Sequence, residues 1–202
     1  MTKFILVRHG ETEWNKVHRL QGGGSDNPLN ETGGQQAENV ALRLKSENIQ
    51  AVYSSPLQRA ASTAQAIARH HQLKINLLPA LKEINVGKLE GVFSATLPQR
   101  FDEFICRDRH LREMDNPSGE SILAVRKRAW EAIQGIASQH SAGAVVIVSH
   151  YFVIMTLVCQ VLNLPLDRVG HLKSSPGTIT IFTMDGLNSP RLELFNEGYY
   201  SL

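Results

Sequence analysis

Phe4-Ile5-Leu6-Val7-Arg8-His9-Gly10 is the stretch whose reading decides the fold. Four apolar residues in a row, rich in branched side chains, stop abruptly at an arginine, a histidine and a glycine. A continuous apolar run of this length suits a strand buried on both faces, as in a parallel sheet. Strand-like runs recur at Ala51–Ser54, Ile75–Leu78 and Val145–Val148, the last ending at Ser149-His150. Two more close the chain, Thr178–Met184 and Arg191–Phe195, joined by a turn at Asp185-Gly186.

Helical patterns lie between these strands. Thr32 and Gln35 resemble a capping box, and Ala37, Val40, Ala41 and Leu44 follow at helical spacing. Ser55 and Pro56 offer a cap and a first-turn proline to a helix reaching about residue 70. Ile122, Val125, Ala129, Ile133 and Ile136 mark a long helix over roughly 120–139, and another follows at about 152–162. This alternation predicts an α/β fold: a three-layer αβα sandwich around a mostly parallel sheet. One domain over residues 1–202 is expected, with a small cap insertion at about 92–118.

Composition narrows the classes of function. A formal charge of +2 over 202 residues is too small to imply nucleic acid or a membrane surface. The opening apolar run is too short for an export signal or a membrane span, so the cytoplasm is the expected location. Cys106 and Cys159 have neither metal spacing nor a disulfide framework, and are expected to be buried thiols. His70-His71 closes a helix, where imidazoles meet the exposed carbonyls and the helix dipole. No metal-binding or nucleotide-loop motif is present, so neither a metal nor another cofactor is expected.

Ligands of open α/β sheets bind outside the carboxyl ends of the strands. Here one strand ends in Arg8-His9, the second leads to Arg59, and the most apolar one ends in His150. Buried arginine and histidine cost several kcal/mol, of order ~2–7, when left unpaired. A shared anionic ligand explains all three more economically than separate ion pairs.

The string Leu6-Val7-Arg8-His9-Gly10-Glu11-Thr12 with Asn15 resembles the signature of the histidine phosphatase superfamily, which includes the phosphoglycerate mutases. Pro28-Leu29 with Gly33, Ser54–Ala60 with Thr63-Ala64, Glu83–Gly91, Gly119-Glu120-Ser121 and Val148-Ser149-His150 match further blocks in the family's order. The resemblance implies a phosphoglycerate mutase-like fold and a small phosphorylated metabolite as substrate. It implies His9 as nucleophile, and Glu83 as general acid and then base, with Glu11 and Glu90 as rivals for the proton transfer.

Chemistry supports those roles. A neutral imidazole can attack phosphorus and split one difficult step into two. The guanidinium forks of Arg8 and Arg59 suit phosphate oxygens, and His150 and Asn15 add donors. Gly10 is read as letting phosphate approach His9 closely, and Gly22-Gly23-Gly24 as a possible cradle of backbone amides. Gln21 and Gly22 lie in a region that the family uses against its ligand. Tyr151 follows His150 where the family usually has glycine, so a bulky ring is expected to narrow the pocket or touch substrate.

In the family's mutases the block after the acid resembles Glu-Arg-His-Tyr-Gly, and a longer insertion covers the site. Glu83-Ile84-Asn85-Val86-Gly87 resembles the phosphatase branch instead, which includes broad acid, phosphoglycerate, phosphoserine and α-ribazole phosphatases. Hydrolysis is therefore expected. The alternatives are a 2,3-bisphosphoglycerate-dependent mutase and a non-catalytic phosphate-binding protein. The basic run Arg107-Asp108-Arg109-His110-Leu111-Arg112 is read as a solvated face of the insertion. A homodimer through an exposed sheet edge or the cap is compatible with the sequence, but no residue demands one.

Overall fold

A computed structural model describes residues 1–96, 119–185 and 188–198. Its strands are β1 (Thr2–Arg8), β2 (Ile49–Ser54), β3 (Ile75–Leu77), β4 (Gly143–Ser149), β5 (Thr178–Asp185) and β6 (Asn188–Gly198). They form one sheet in the order β3-β2-β4-β1-β5-β6. The first four are parallel, and β5 and β6 add an antiparallel edge. Among the helices are α1 (Glu13–Lys16), α2 (Glu31–Leu44), α3 (Gln58–His71), α4 (Ile122–Gln139) and α5 (Tyr151–Val161).

The opening apolar run is buried on both faces, and its two-residue period divides it between two cores. Phe4 and Leu6 join Val145, Ile147 and the inward residues of α4 and α5, among them Val125, Ile133, Val153 and Leu157. Ile5 and Val7 join Val146, Val148 and the inward residues of α2 and α3, among them Val40, Leu44, Ala64 and Ile67. A strand with one wet face would leave half of these side chains exposed, at roughly 1.5–3 kcal/mol each. The three-layer expectation holds. Phe4 also stacks on Phe182 of β5, with ring centroids 4.9 Å apart, which ties the antiparallel edge to the centre.

This topology fixes where a ligand can enter. β1 and β4 are neighbours, with Arg8 paired to Ser149. The chain leaving β1 goes to α2 on one face, while the chain leaving β4 enters α5 on the other. Connections that diverge to opposite faces open a crevice at the strand ends, the usual ligand position in such sheets. His9 and His150 are the first residues past that edge.

Some local expectations shift. α2 starts at Glu31, because Asn30 rather than Thr32 is the cap and accepts from Gly33 N at 2.8 Å. α3 starts at Gln58, two residues after Pro56. Its cap comes from a distant loop, where Asp26 Oδ1 accepts from Gln58 N at 2.6 Å. β6 is longer than the predicted 191–195. Most of the expected insertion, with Cys106 and the basic run 107–112, lies outside the described residues. Cys159 is fully buried, and burial pushes its thiol up to about 11.

No helix of the described residues is long and apolar enough to cross a membrane.

Candidate active site

His9 N donates to Ser149 O at 3.1 Å, continuing the β1–β4 ladder one step past the strand and fixing the backbone of the histidine. On the other side, Gly177 N, just before β5, lies 3.1 Å from both Arg8 O and His9 O. The imidazole itself is almost fully buried. Its Nδ1 lies 2.7 Å from Gly10 O. A carbonyl only accepts, so Nδ1 carries the proton and Nε2 is left with the lone pair. The His150 ring packs against His9 at a centroid distance of 5.1 Å, and neither of its nitrogens has a hydrogen-bond partner among the described residues.

Two guanidiniums flank these rings. Arg59 is fully buried, donating from Nη1 to Ser25 O at 2.9 Å and from Nη2 to Gly22 O at 3.0 Å. Arg8 donates from Nη1 to Ser174 O and lies over the Tyr151 ring, 5.3 Å from its centroid. Tyr151 is held in turn by a bond from its hydroxyl to Leu172 O at 2.9 Å. In both arginines Nε is buried and has no partner among the described residues.

These neighbours set the protonation states. Burial, then the charges of Arg59 and Arg8, hold His9 well below the usual histidine range. Burial and Arg59 do the same to His150, with further contributions from His9, Arg8 and Arg128. Both rings are therefore neutral near pH 7. Glu83 goes the other way: burial raises it, although Ile84 N (2.9 Å) and Phe152 N (3.3 Å) donate to its two oxygens and Arg59 and Arg8 oppose the shift. A buried carboxyl that is readily protonated is suited to giving a proton away. The ensemble gathers two cations, Arg8 and the fully buried Arg59, around two neutral imidazoles, and an anion would compensate it.

A cavity of about 470 Å³ reaches this edge. Arg8, His9, Glu11, Asn15, Gln21, Glu83 and Tyr151 line it. Arg59 and His150 do not reach its wall; they stand against the residues that do. Asn15 is fixed by the capping box at the start of α1, where Thr12 N donates to its Oδ1 at 3.2 Å. Gln21 Oε1 accepts from Thr12 Oγ1 at 2.8 Å, and its buried Nε2 has no partner among the described residues.

Two glycine readings are revised. Gly22 is not in the wall: its N–H donates to Glu90 Oε1 at 2.7 Å, and Gly23 N donates to Ile84 O at 2.8 Å. These amides anchor the loop to the 83–90 segment, so Gly22 serves the site by holding Arg59. Glu90 also accepts from Ser25 Oγ at 2.6 Å, which is a structural role. Gly10 is required by packing, since a Cβ there would stand 2.3 Å from Gly33 O. Glu11 lines the cavity and accepts from Asn30 Nδ2 at 2.9 Å.

The sequence reading missed the far wall, Lys173-Ser174-Ser175-Pro176, and the lip formed by His18, Arg19 and Leu20. Because β5 is antiparallel to β1, its entry loop lies at the edge where β1 ends. A polar, proline-containing run carries a loop signal but does not reveal that placement.

Comparison with known proteins agrees with this geometry. The family model of the histidine phosphatase superfamily (branch 1) matches residues 4–198. A probable phosphoglycerate mutase from Photorhabdus laumondii is 38% identical over 183 residues, covering 86% of this chain and 80% of that protein. Phosphoserine phosphatase 1 from Hydrogenobacter thermophilus is 30% identical over 195 residues, covering 96% and 92%. The crystal structure of phosphoserine phosphatase from Entamoeba histolytica in complex with 3-phosphoglyceric acid superposes with a TM-score of 0.82 at 32% identity, covering 98% of each chain. With its strand-end histidines, the arginines beside them and a family match over nearly its whole length, the chain belongs to the histidine phosphatase superfamily, branch 1.

Proposed function

We propose that His9 is the nucleophile of a phosphomonoesterase that hydrolyses small phosphorylated metabolites. The observation that carries this is the state of the His9 ring: neutral, pinned through Nδ1 to Gly10 O, with the Nε2 lone pair available near the guanidiniums of Arg8 and the buried Arg59. The chain is a phosphoric monoester hydrolase, in keeping with its family and its phosphoserine phosphatase relatives.

In the first step the Nε2 lone pair forms the N–P bond as the P–O bond to the alcohol breaks. Arg8 and Arg59 balance the charge on the phosphoryl oxygens, the neutral His150 ring donates a hydrogen bond, and Asn15 and Gln21 orient them. Glu83 gives its proton to the departing alkoxide and becomes a carboxylate. That carboxylate then takes a proton from water as its oxygen attacks phosphorus. The N–P bond breaks, inorganic phosphate leaves, and His9 and Glu83 return to their starting states. No step requires a metal ion.

p-Nitrophenyl phosphate hydrolysis in the presence of EDTA tests this reading. Activity should survive chelation and disappear in His9→Ala; activity that persists in His9→Ala would show that the nucleophile is elsewhere.

A mutase reading draws support from the Photorhabdus relative. Hydrolysis is preferred because Glu83–Gly87 lacks the mutase-like block. Isomerisation of 3-phosphoglycerate faster than phosphate release, with 2,3-bisphosphoglycerate present, would reverse that preference.

A further inference from the structure

Arg128, in the second turn of α4, stands outside the cavity wall yet grips the backbone that carries Glu83. Its Nε and Nη2 donate to the two carboxylate oxygens of Glu120 at 2.6 and 2.9 Å. Nη1 donates to Ala80 O at 2.6 Å, and Nη2 also reaches Glu83 O at 3.3 Å. Glu120 holds the same segment, its N–H donating to Asn85 O at 2.8 Å. Gly23 also lies so close that a Cβ on it would come within 2.6 Å of Glu83 O. The peptide of the acid is thus held by Arg128 and closely packed by Gly23, while Ile84 and Val86 are buried in the core.

The partly buried ion pair has the planar, two-pronged geometry for which arginine is suited and lysine is not. Proton transfer requires its donor within hydrogen-bond reach, and a displacement of about 1 Å can lower a rate by roughly 10²-fold.

We propose that Arg128, working with Glu120, is the positioning residue for proton transfer by Glu83. Fixing the Ala80 and Glu83 carbonyls sets the loop so that the Glu83 carboxyl lies between Ile84 N and Phe152 N and faces the cavity. This rests on the reading of Glu83 as general acid.

The leaving group separates positioning from simple stabilisation. p-Nitrophenolate departs without a proton, whereas the alkoxide of an alkyl phosphate does not. kcat/KM is to be measured for p-nitrophenyl phosphate and for glycerol phosphate, in wild type, Arg128→Ala, Arg128→Lys, Glu120→Gln and Glu83→Gln, with urea midpoints alongside. Arg128→Ala should lower kcat/KM for glycerol phosphate by about 10²-fold and for the aryl ester by less than about threefold. Lysine should restore only part of the loss, because it keeps the charge but not the fork. Glu120→Gln, which leaves the arginine and both backbone carbonyls in place, should give the same selective loss at about tenfold, and it carries the test if Arg128→Ala does not fold.

Equal losses on both esters in the Arg128 and Glu120 variants, or no loss, would overturn the proposal where Glu83→Gln still discriminates between the esters. A Glu83→Gln variant that fails to discriminate would instead overturn the acid assignment, and this proposal with it.

Discussion

His9 and His150 follow two neighbouring parallel strands, their ring centroids stand 5.1 Å apart, and Arg8 and Arg59 act on both. Burial and those charges favour the neutral rings, which is the state a nucleophilic imidazole requires. The same environment costs stability in acid. Both folded-state values lie below the 6.5 of an ordinary histidine. The unfolded chain therefore binds more protons once the pH falls below that value, and stability drops as the medium is acidified. Glu83, raised by burial, has the opposite sign: its contribution is lost as the pH rises through its folded value. Comparing variants separates the two. Urea unfolding of His150→Gln should lose less stability than wild type between about pH 7.5 and about pH 5. An unchanged slope would contradict the neutral buried ring.

Arg59 supplies a guanidinium fork that is fully buried. Its two Nη groups are committed to Ser25 O and Gly22 O, and its Nε has no partner among the described residues. Arg59→Lys keeps one charge but cannot hold both carbonyls and keep that charge in the same place. Steady-state kinetics should show kcat/KM falling by about 10²-fold, comparable to the loss of one oxyanion donor. A change smaller than about threefold would remove Arg59 from the phosphate clamp.

For an alkyl ester, the alkaline limb of the kcat/KM profile belongs to Glu83. Burial raises this carboxyl, so it keeps its proton to a higher pH than an exposed glutamate and activity declines as it ionises. The acidic limb reflects protonation of His9, displaced downward by burial and by the arginines. Glu83→Gln should abolish the alkaline limb while lowering the plateau by about 10²–10⁴-fold. A limb that survives in Glu83→Gln belongs to another group.

Two adjacent glycines at the start of α2 should respond in opposite directions to alanine. A Cβ on Gly33 would meet Glu11 O at 2.0 Å, next to the catalytic turn, whereas a Cβ on Gly34 would meet nothing within 4 Å. Gly33→Ala should destabilise by about 1–3 kcal/mol and depress activity. Gly34→Ala should stabilise by about 0.5–1 kcal/mol through helix propensity. Chemical denaturation of the two variants checks both signs.

What the sequence disclosed follows from where its signals are strongest. An apolar run that ends at Arg8-His9 or Ser149-His150 marks a buried strand and its ligand-facing end together, because packing has no use for those polar groups. The layers followed from the alternation of strands and helices. Strand order and the antiparallel direction of β5 did not, since hydrophobic periodicity carries no sign for direction, so the wall built by Lys173–Pro176 stayed hidden. Glycine positions were legible but not all their reasons: Gly10 read as room for phosphate beside His9 and Gly22 as part of a cradle, while a Cβ on Gly10 would also meet Gly33 O and the Gly22 N–H is bonded to Glu90. Arg128 gave no signal, because a cation on an amphipathic helix looks like one more solvated residue until the 80–85 loop is seen beneath it.

The central claim is a covalent bond between phosphorus and His9 Nε2. Brief mixing of the enzyme with a phosphorus-labelled phosphomonoester, quenching in alkali and peptide mapping tests it most directly. The account predicts an acid-labile, alkali-stable label on the peptide containing His9, formed and discharged at rates that match turnover. Label on another residue, or turnover with no labelled enzyme in wild type at saturating substrate, would contradict it.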